Sequence, residues 1–354
     1  MNNIKILIAD SSPVYKKMFL KAIDEVDENV FVTCVANGKD AVDNIVRKSP
    51  GIVIVDAEIQ GVPLSEILKF VTHDAPKTFV LVTARPSSTS AKIFMEALAA
   101  GASDSMTKPI YDSYEENLET IKIKLSEIIE IQRASLETGD SVKRTVERSP
   151  ASNAKEKKTP SAKSFRPQIV LIAVSTGGPR ALETIIPALR PDIPVPILVV
   201  QHMPPHFIET LAERLDSKSK LKVRVAVNGE KIAGKTVYLA PGGIHMRLSA
   251  DSEVYFDDSP PINGVRPAAD ALFESIAEDF SGLRILTIVL TGMGQDSVRG
   301  LVKLKDKKMC YCLAQSEKTC VVYGMPRAVI EEGLADKVLD LENIAPEING
   351  FNYI

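Results

Sequence analysis

The sequence predicts an α/β fold with two doubly wound parallel-sheet domains, and three observations predict it. The length of 354 residues suits two domains of ordinary size, and 45% of the residues are apolar, which is usual for a folded protein. Short apolar runs alternate along the chain with longer amphipathic segments, as buried strands alternate with helices. A polar stretch over about 135–166 interrupts this alternation, so we expect one domain on each side of it.

The first domain, over residues 1–134, contains apolar runs that are typical of strands buried on both faces: IKILIA, VFVTCVA, GIVIVDA and TFVLVTA. The segments between these runs carry apolar residues at helical spacing. A last helix is expected over about 113–134, where Leu118, Ile121 and Leu125 share one face. Because strands and helices alternate, the strands should pair in parallel, with helices on both faces of the sheet.

Polar side chains follow the strands of this first domain. Asp10 ends the first strand, Asp56 the third and Thr83 the fourth, and Lys108 follows the fifth. The carboxyl ends of parallel strands meet at one edge of a sheet, so these four groups should converge. A carboxylate such as Asp56 can attack phosphorus, while a lysine and a hydroxyl offset charge on the phosphoryl oxygens. The sequence therefore predicts a phosphoryl site.

These four positions resemble the receiver domain of response regulators, which has a flavodoxin-like fold. The resemblance implies Asp56 as the phosphoacceptor, Thr83 and Lys108 as switch residues, and a Mg²⁺ site that includes Asp10 and Asp56. The family usually has a second acid after the first aspartate, and Ser11 stands there instead. Magnesium requires nearly octahedral oxygen ligation, so the loss of one carboxylate weakens the site. A receiver fold that takes phosphate poorly stays open as an alternative.

Residues 135–166 are rich in Ser, Thr, Lys, Arg and Pro. Such a segment cannot bury enough apolar area to offset its ordering entropy, so it is predicted to be a flexible linker. A second α/β pattern then covers residues 167–354. Its expected strands are QIVLIAV, VPILVV, KTVYLA, LRILTIVL and MCYCLA.

The first strand of the second domain runs into Ser175, which is followed by Thr176, Gly177, Gly178 and Pro179. A strand that turns sharply into a helix exposes the residue at the turn, and the two glycines allow close approach of a substrate. Backbone N–H groups near Thr176 and Gly177, at the helix N-terminus, can stabilise an oxyanion. The same loop could cradle a phosphate, and the local sequence leaves both interpretations open.

A serine nucleophile requires a base, and the second domain offers His202, His206 and His245, whereas His73 belongs to the first domain. His202 directly follows a strand, at the edge where Ser175 is expected. The strand LRILTIVL ends in a glycine-bracketed turn before Asp296, a carboxylate that could orient the base. A hydrogen-bonded structural role for each histidine, and a helix-capping role for Asp296, are the alternatives.

Several stretches of the second domain together resemble the chemotaxis protein-glutamate methylesterase family: AVSTGGPRA, QHMPPHF, LAPGGIHM, RPAADALF, LTGMGQD and CVVYGMPRAV. The resemblance implies an α/β serine hydrolase domain with Ser175 as nucleophile, His202 as general base and Asp296 as its orienting acid. It also implies that Thr176 holds the imidazole and that the Met293 N–H joins the oxyanion hole. A receiver, a linker and this domain, in this order, is the layout of that family.

The resemblance implies hydrolysis of glutamate γ-methyl esters on the cytoplasmic helices of chemoreceptors, with release of methanol, and deamidation of receptor glutamines. It implies control through phosphorylation of the receiver by a chemotaxis histidine kinase, and no cofactor for catalysis. Two residues depart from the family, which commonly has glycine at the positions of Ala173 and Ser297. The alternatives are an esterase whose receiver works without phosphorylation, and a signalling adaptor without activity.

Charge and hydropathy bound the expected partners and location. The formal net charge of -3 provides no large field of one sign, so nucleic acid is not expected as a partner. The first apolar run is too short for the core of a signal peptide, and no apolar stretch is long enough to span a bilayer. We therefore expect a cytoplasmic protein without membrane insertion.

Overall fold

The computed structural model describes residues 3–87, 89–110, 113–141 and 165–353. Contacts divide the chain into two compact units, Met1–Lys155 and Glu156–Ile354. We call them the N-terminal unit and the C-terminal unit and describe each by itself.

The N-terminal unit alternates strands and helices along the chain. Its strands are β1 (Lys5–Ala9), β2 (Phe31–Val35), β3 (Ile52–Asp56), β4 (Phe79–Ala84) and β5 (Asp104–Thr107). Its helices are α1 (Pro13–Val26), α2 (Gly38–Lys48), α3 (Leu64–Asp74), α4 (Ser90–Ala99) and α5 (Tyr114–Ser141). The strands form one parallel sheet in the order β2-β1-β3-β4-β5. The order reverses at β1, so β1 and β3 flank the switch point where ligands bind in such sheets.

The central strands β3 and β4 are buried along their whole length, because helices cover both faces of the sheet. The apolar stripe of α5 is buried as its helical spacing predicts, with Leu118, Ile121 and Leu125 at most 6% exposed. The helix continues to Ser141, seven residues beyond the end that the sequence predicts. Residues 142–164 lie outside the described residues, so the flexible linker stays a prediction.

The C-terminal unit is also built from alternating elements. Its strands are β6 (Ile169–Val174), β7 (Ile197–Gln201), β8 (Lys222–Val225), β9 (Thr236–Leu239), β10 (His245–Leu248), β11 (Val254–Asp257), β12 (Ile285–Val289), β13 (Cys310–Gln315) and β14 (Lys337–Leu339). Its helices are α6 (Gly178–Ile185), α7 (Pro205–Asp216), α8 (Ala269–Asp279), α9 (Val298–Asp306), α10 (Met325–Glu331) and α11 (Leu341–Gly350), with single 3₁₀ turns at Ile186–Ala188 and Glu317–Thr319.

Seven of these strands form a parallel sheet in the order β14-β13-β12-β6-β7-β9-β8. Strands β10 and β11 form a separate antiparallel hairpin. The first strand of the unit, β6, lies in the middle of the sheet, with β7 on one side and β12 on the other. The chain direction across the sheet therefore reverses at β6, and the loops after β6, β7 and β12 meet at one edge. The predicted fold class is confirmed in both units.

Candidate active site

Ser175 lies at the turn between β6 and α6. Its N–H donates to Thr291 O at 3.0 Å, and its carbonyl accepts from Gly178 N at 2.8 Å, so both backbone groups are held. Gly177 has φ +78°, and a Cβ there would lie 2.6 Å from Val321 Cβ, so only glycine fits this turn. The Ser175 side chain is half-buried, and its Oγ has no hydrogen-bond partner among the residues that the structure describes.

His202 follows β7 directly. Val174 pairs with Gln201 in the parallel ladder, so Ser175 and His202 occupy the next paired positions on neighbouring strands. The side-chain amide of Gln201 donates to Ser175 O at 3.0 Å and to His202 O at 3.1 Å. Gln201 therefore joins the backbones of the nucleophile turn and the base. The sequence reasoning missed it, although a polar residue closing an apolar strand was the available signal.

Asp296 contacts the imidazole of His202. Its Oδ2 lies 2.7 Å from His202 Nε2 and also accepts from Ala269 N at 2.6 Å, while Oδ1 accepts from Asp270 N at 2.9 Å and Ser297 N at 3.0 Å. The carboxylate is buried, with 2% exposure. Burial alone would raise its pKa, but the hydrogen bonds from His202 and the backbone outweigh burial, and the pKa is below its ordinary value.

An ionised carboxylate only accepts hydrogen bonds, so His202 Nε2 carries the proton in this contact. The lone pair of Nδ1 is then free to accept the proton of a serine hydroxyl. No hydrogen bond joins Ser175 Oγ to His202 in this state. The structure thus brings His202 and Asp296 into contact and places Ser175 on the adjacent strand end.

Two backbone N–H groups beside Ser175 are available for an oxyanion. The N–H groups of Gly177 and Met293 donate to no acceptor within the described part of the chain. The loop that carries Met293 is tied to the nucleophile turn, because Thr291 Oγ1 donates to Thr176 O at 2.9 Å. Thr176 itself is buried, and its predicted contact with the imidazole stays a prediction.

A cavity of about 420 Å³ opens beside the imidazole. Its lining includes His202, Met293 and Asp296 together with Asn263 and Arg327. The Arg327 guanidinium is exposed and donates to Glu331 at 2.7 Å on the same helix. The cavity presents the Arg327–Glu331 ion pair and polar side chains to whatever enters it, and Ser175 is not among its lining residues.

The other two histidines are placed differently. His245 is fully buried, its Nδ1 accepts from Ala268 N at 3.1 Å, and its Nε2 lies 3.2 Å from Pro260 O. Both ring nitrogens are therefore in use, and burial lowers the pKa of the ring, so it stays neutral as a structural group. His206 is exposed in the first turn of α7. Of the three, His202 is the histidine that contacts Asp296 and lies on the strand end next to Ser175.

The N-terminal unit has its own polar cluster, at the carboxyl edge of its sheet. Lys108 Nζ lies 2.6 Å from Asp10 Oδ2 and 2.9 Å from Asp56 Oδ2, and all three side chains are at most 7% exposed. Burial raises the pKa of Asp10 above its ordinary value, although Lys108 opposes the rise. Thr83 lies beside the cluster and is fully buried. The four sequence-predicted residues therefore converge.

Tyr15 belongs to the same cluster and was missed by sequence reasoning. Lys108 Nζ lies 4.8 Å from the centre of its ring, and its hydroxyl donates to Pro109 O at 3.1 Å. The ring therefore covers the lysine that pairs with both carboxylates.

The cluster fits a magnesium ion poorly. Asp10 and Asp56 are two carboxylates, both already paired with Lys108, and Ser11 is exposed. Across the described residues, no group of three or more His, Cys, Asp or Glu side chains is arranged to hold a metal ion. The donor set is one carboxylate short of what the predicted site requires.

None of the helices in the described ranges is both long and apolar enough to cross a membrane.

Comparisons with known proteins agree on one family. Residues 170–348 match the family model of the CheB methylesterase domain. A protein-glutamate methylesterase/protein-glutamine glutaminase from Desulfotalea psychrophila is 35% identical over 98% of this chain and 98% of its own length. A relative of the same name from Syntrophomonas wolfei is 37% identical over 97% and 98%. The crystal structure of the Thermotoga maritima CheB methylesterase catalytic domain is 46% identical over 52% of this chain and 97% of that chain, with a TM-score of 0.49.

Proposed function

This chain belongs to the CheB methylesterase family, and on that premise we propose that it hydrolyses glutamate γ-methyl esters on chemoreceptors and releases methanol. The observation that carries the proposal is the 2.7 Å contact between His202 and Asp296, one strand away from Ser175. A general base held by a buried carboxylate beside a serine at a strand end is the arrangement that acyl transfer requires.

In the proposed reaction, Ser175 Oγ attacks the ester carbonyl carbon while His202 Nδ1 takes the hydroxyl proton. The carbonyl oxygen becomes an oxyanion that the N–H groups of Gly177 and Met293 stabilise. The C–O bond to the methoxy group then breaks, and the imidazolium returns the proton to give methanol. Asp296 keeps Nε2 protonated throughout and stabilises the imidazolium charge.

A water molecule completes the cycle. His202 deprotonates it as the water oxygen attacks the acyl-serine, and the second tetrahedral intermediate then expels Ser175 Oγ, which takes the proton back from the imidazolium. The product acid releases its proton to solvent and leaves as a glutamate carboxylate. Deamidation of a receptor glutamine uses the same steps, with ammonia in place of methanol as the leaving group. The relatives are named for both activities, so we propose both for this chain.

We further propose that a chemotaxis histidine kinase is the phosphodonor for Asp56 and that the receptors and kinase place the protein in the cytoplasm. Mg²⁺ is proposed to bind weakly, through Asp10 and Asp56. The alternative, a receiver that works without phosphorylation, is favoured by the pairing of Lys108 with both carboxylates, because a phosphoryl group must break one of these ion pairs.

Radiolabelled methyl release from methylated receptor membranes tests this function. Wild type should release methanol, and Ser175→Ala should lose about 10⁶-fold in kcat while it keeps its fold, by analogy with other serine triads. Equal, slow release by both proteins would refute the esterase and favour the adaptor. Adding a phosphodonor to wild type and to Asp56→Asn separates a phosphorylated receiver from one that works without phosphate.

A further inference from the structure

We propose that Asp270 is a positioning residue of the catalytic site, which holds Asp296 against His202 and ties both to the wall of the substrate cavity. The inference rests on the proposed function, whose reaction it deepens. Asp270 lies at the second position of α8 and is 1% exposed. None of the roles assigned above uses it.

Helices α8 and α9 cap each other reciprocally. Asp296, just before α9, accepts from the first two amides of α8, those of Ala269 and Asp270. Asp270, in α8, accepts in return from Gly300 N in the first turn of α9 at 2.8 Å. Each carboxylate therefore satisfies N–H groups that the other helix leaves unpaired. α8 therefore holds both the Asp296 carboxylate and the start of α9, and the same carboxylate contacts His202.

Asp270 is also linked to the cavity beside His202. The free oxygen of Asp270, Oδ2, accepts from Asn263 Nδ2 at 3.0 Å. Asn263 lines the same cavity as His202 and Arg327. The Asp270 side chain thus bonds to the cavity wall and to the first turn of α9, while its backbone N–H donates to Asp296. Two hydrogen bonds therefore connect Asn263 in the wall with Asp296.

Asp270 also contributes a charge to the site. Burial, with repulsion from Asp296, raises the pKa of Asp270 to about 6. The Gly300 amide, Arg299 and Asn263 oppose the rise. Three sets of charged or titratable groups surround Asp270. Asp296 contacts His202, and Arg299 of α9 pairs with Glu274 of α8. From β10, His245 accepts from Ala268 N and Arg247 donates to Ala271 O.

The sign of the effect on the base follows from these charges. A negative Asp270 stabilises the positive charge that the His202 imidazole acquires as general base. Asp270→Asn removes the charge but keeps an oxygen for Gly300 N. The imidazolium should then be less stabilised, because one of the two neighbouring buried carboxyl groups no longer carries a charge. The side-chain amide of the variant would also place its NH2 group opposite Asn263 Nδ2, which is itself a donor. The hydrogen bond between positions 263 and 270 is then lost, and the cavity wall is held less firmly.

The test uses the full-length chain with four sequences: wild type, Asp270→Asn, Asn263→Ala and Asp279→Asn. Asp279→Asn is the matched control, since it removes the same charge from the exposed far end of the same helix, about 13 Å along the axis. Two quantities are measured: the pH profile of kcat/KM for methanol release, and the titration of the His202 Hε1 signal by NMR, assigned with His202→Gln.

We expect Asp270→Asn to move the acid limb of the profile and the His202 titration to lower pH by about 0.5 unit or more, with the control unchanged. Asn263→Ala should raise KM by roughly three- to tenfold and leave the acid limb of the pH profile unchanged, because it removes one hydrogen bond from the cavity wall. An acid limb and a His202 titration that coincide in wild type and Asp270→Asn would overturn the proposal.

The two failures are distinguishable. If wild type releases no methanol, the proposed function fails, while the NMR titration still decides the role of Asp270. If circular dichroism shows that Asp270→Asn does not fold, Asn263→Ala becomes the test. A raised KM for Asn263→Ala supports the proposal, and an unchanged KM overturns it.

Discussion

Replacing Ser297 with glycine should stabilise the C-terminal unit. Ser297 follows Asp296 and has φ +90°, a left-handed conformation that a side chain disfavours. Its side chain is fully buried, and its Oγ has no hydrogen-bond partner among the described residues. Glycine removes both the backbone strain and the unpaired hydroxyl, while the hydrogen bond from its N–H to Asp296 Oδ1, at 3.0 Å, stays.

The magnitude can be worked from these two features. Relief of the left-handed conformation contributes about 1 kcal/mol, and the extra entropy that glycine loses on folding cancels most of it. The unpaired buried hydroxyl costs ~1–3 kcal/mol. The free energy of unfolding should therefore rise by about 1 kcal/mol or more, which raises Tm by ~2–4 °C for a unit of this size.

Ser252→Gly is the matched control. Ser252 also has a left-handed backbone, with φ +60°, but its side chain is not fully buried and its hydroxyl is not an unpaired buried group. Its replacement should change Tm little, and differential scanning calorimetry of the full chain measures both variants. A Ser297→Gly protein no more stable than Ser252→Gly would refute the assignment of cost to the buried hydroxyl.

Three further predictions concern the sites. Gly178→Ala should lower kcat, because a Cβ there would lie 2.0 Å from Gln201 Oε1. The new methyl group must displace the Gln201 side chain, whose amide joins Ser175 O to His202 O. An unchanged kcat with a normal Tm would contradict this role of Gln201. Ser11→Asp supplies the missing carboxylate, so it should raise the Mg²⁺ affinity and the rate of phosphorylation by acetyl phosphate by about tenfold. Phosphate-affinity electrophoresis measures that rate. A rate unchanged from wild type would show that the missing carboxylate does not limit phosphorylation. The pKa of Asp270 is raised from 3.8 to about 6, so the stability contributed by its neutral carboxyl is present below pH 4 and is lost as pH rises through 6. Asp270→Asn should accordingly lower Tm less at pH 8 than at pH 5. An equal change of Tm at both pH values would contradict the raised pKa.

Local pattern accounts for most of the fold. Strands such as β3 and β6 are continuous apolar runs, and that pattern reflects burial on both faces. Boundaries were less predictable: α5 continues to Ser141, whereas the polar composition after residue 134 predicts a linker there. The short strands β8, β11 and β14 were not predicted, since three or four residues carry too little periodicity.

The sequence alone determined which residue types stand at the strand ends and, through the motifs around Ser175, His202 and Asp296, the family to which the chain belongs. Those features are local, so neighbouring residues in the chain carry them. Only the tertiary structure decided that His245 is a buried structural ring, that Gln201 joins the nucleophile turn to the base, and that Asp270 and Asp296 cap each other's helices. The contact between His202 and Asp296 joins residues 94 positions apart. Such contacts depend on the order of strands in the sheet, which periodicity along the chain does not encode.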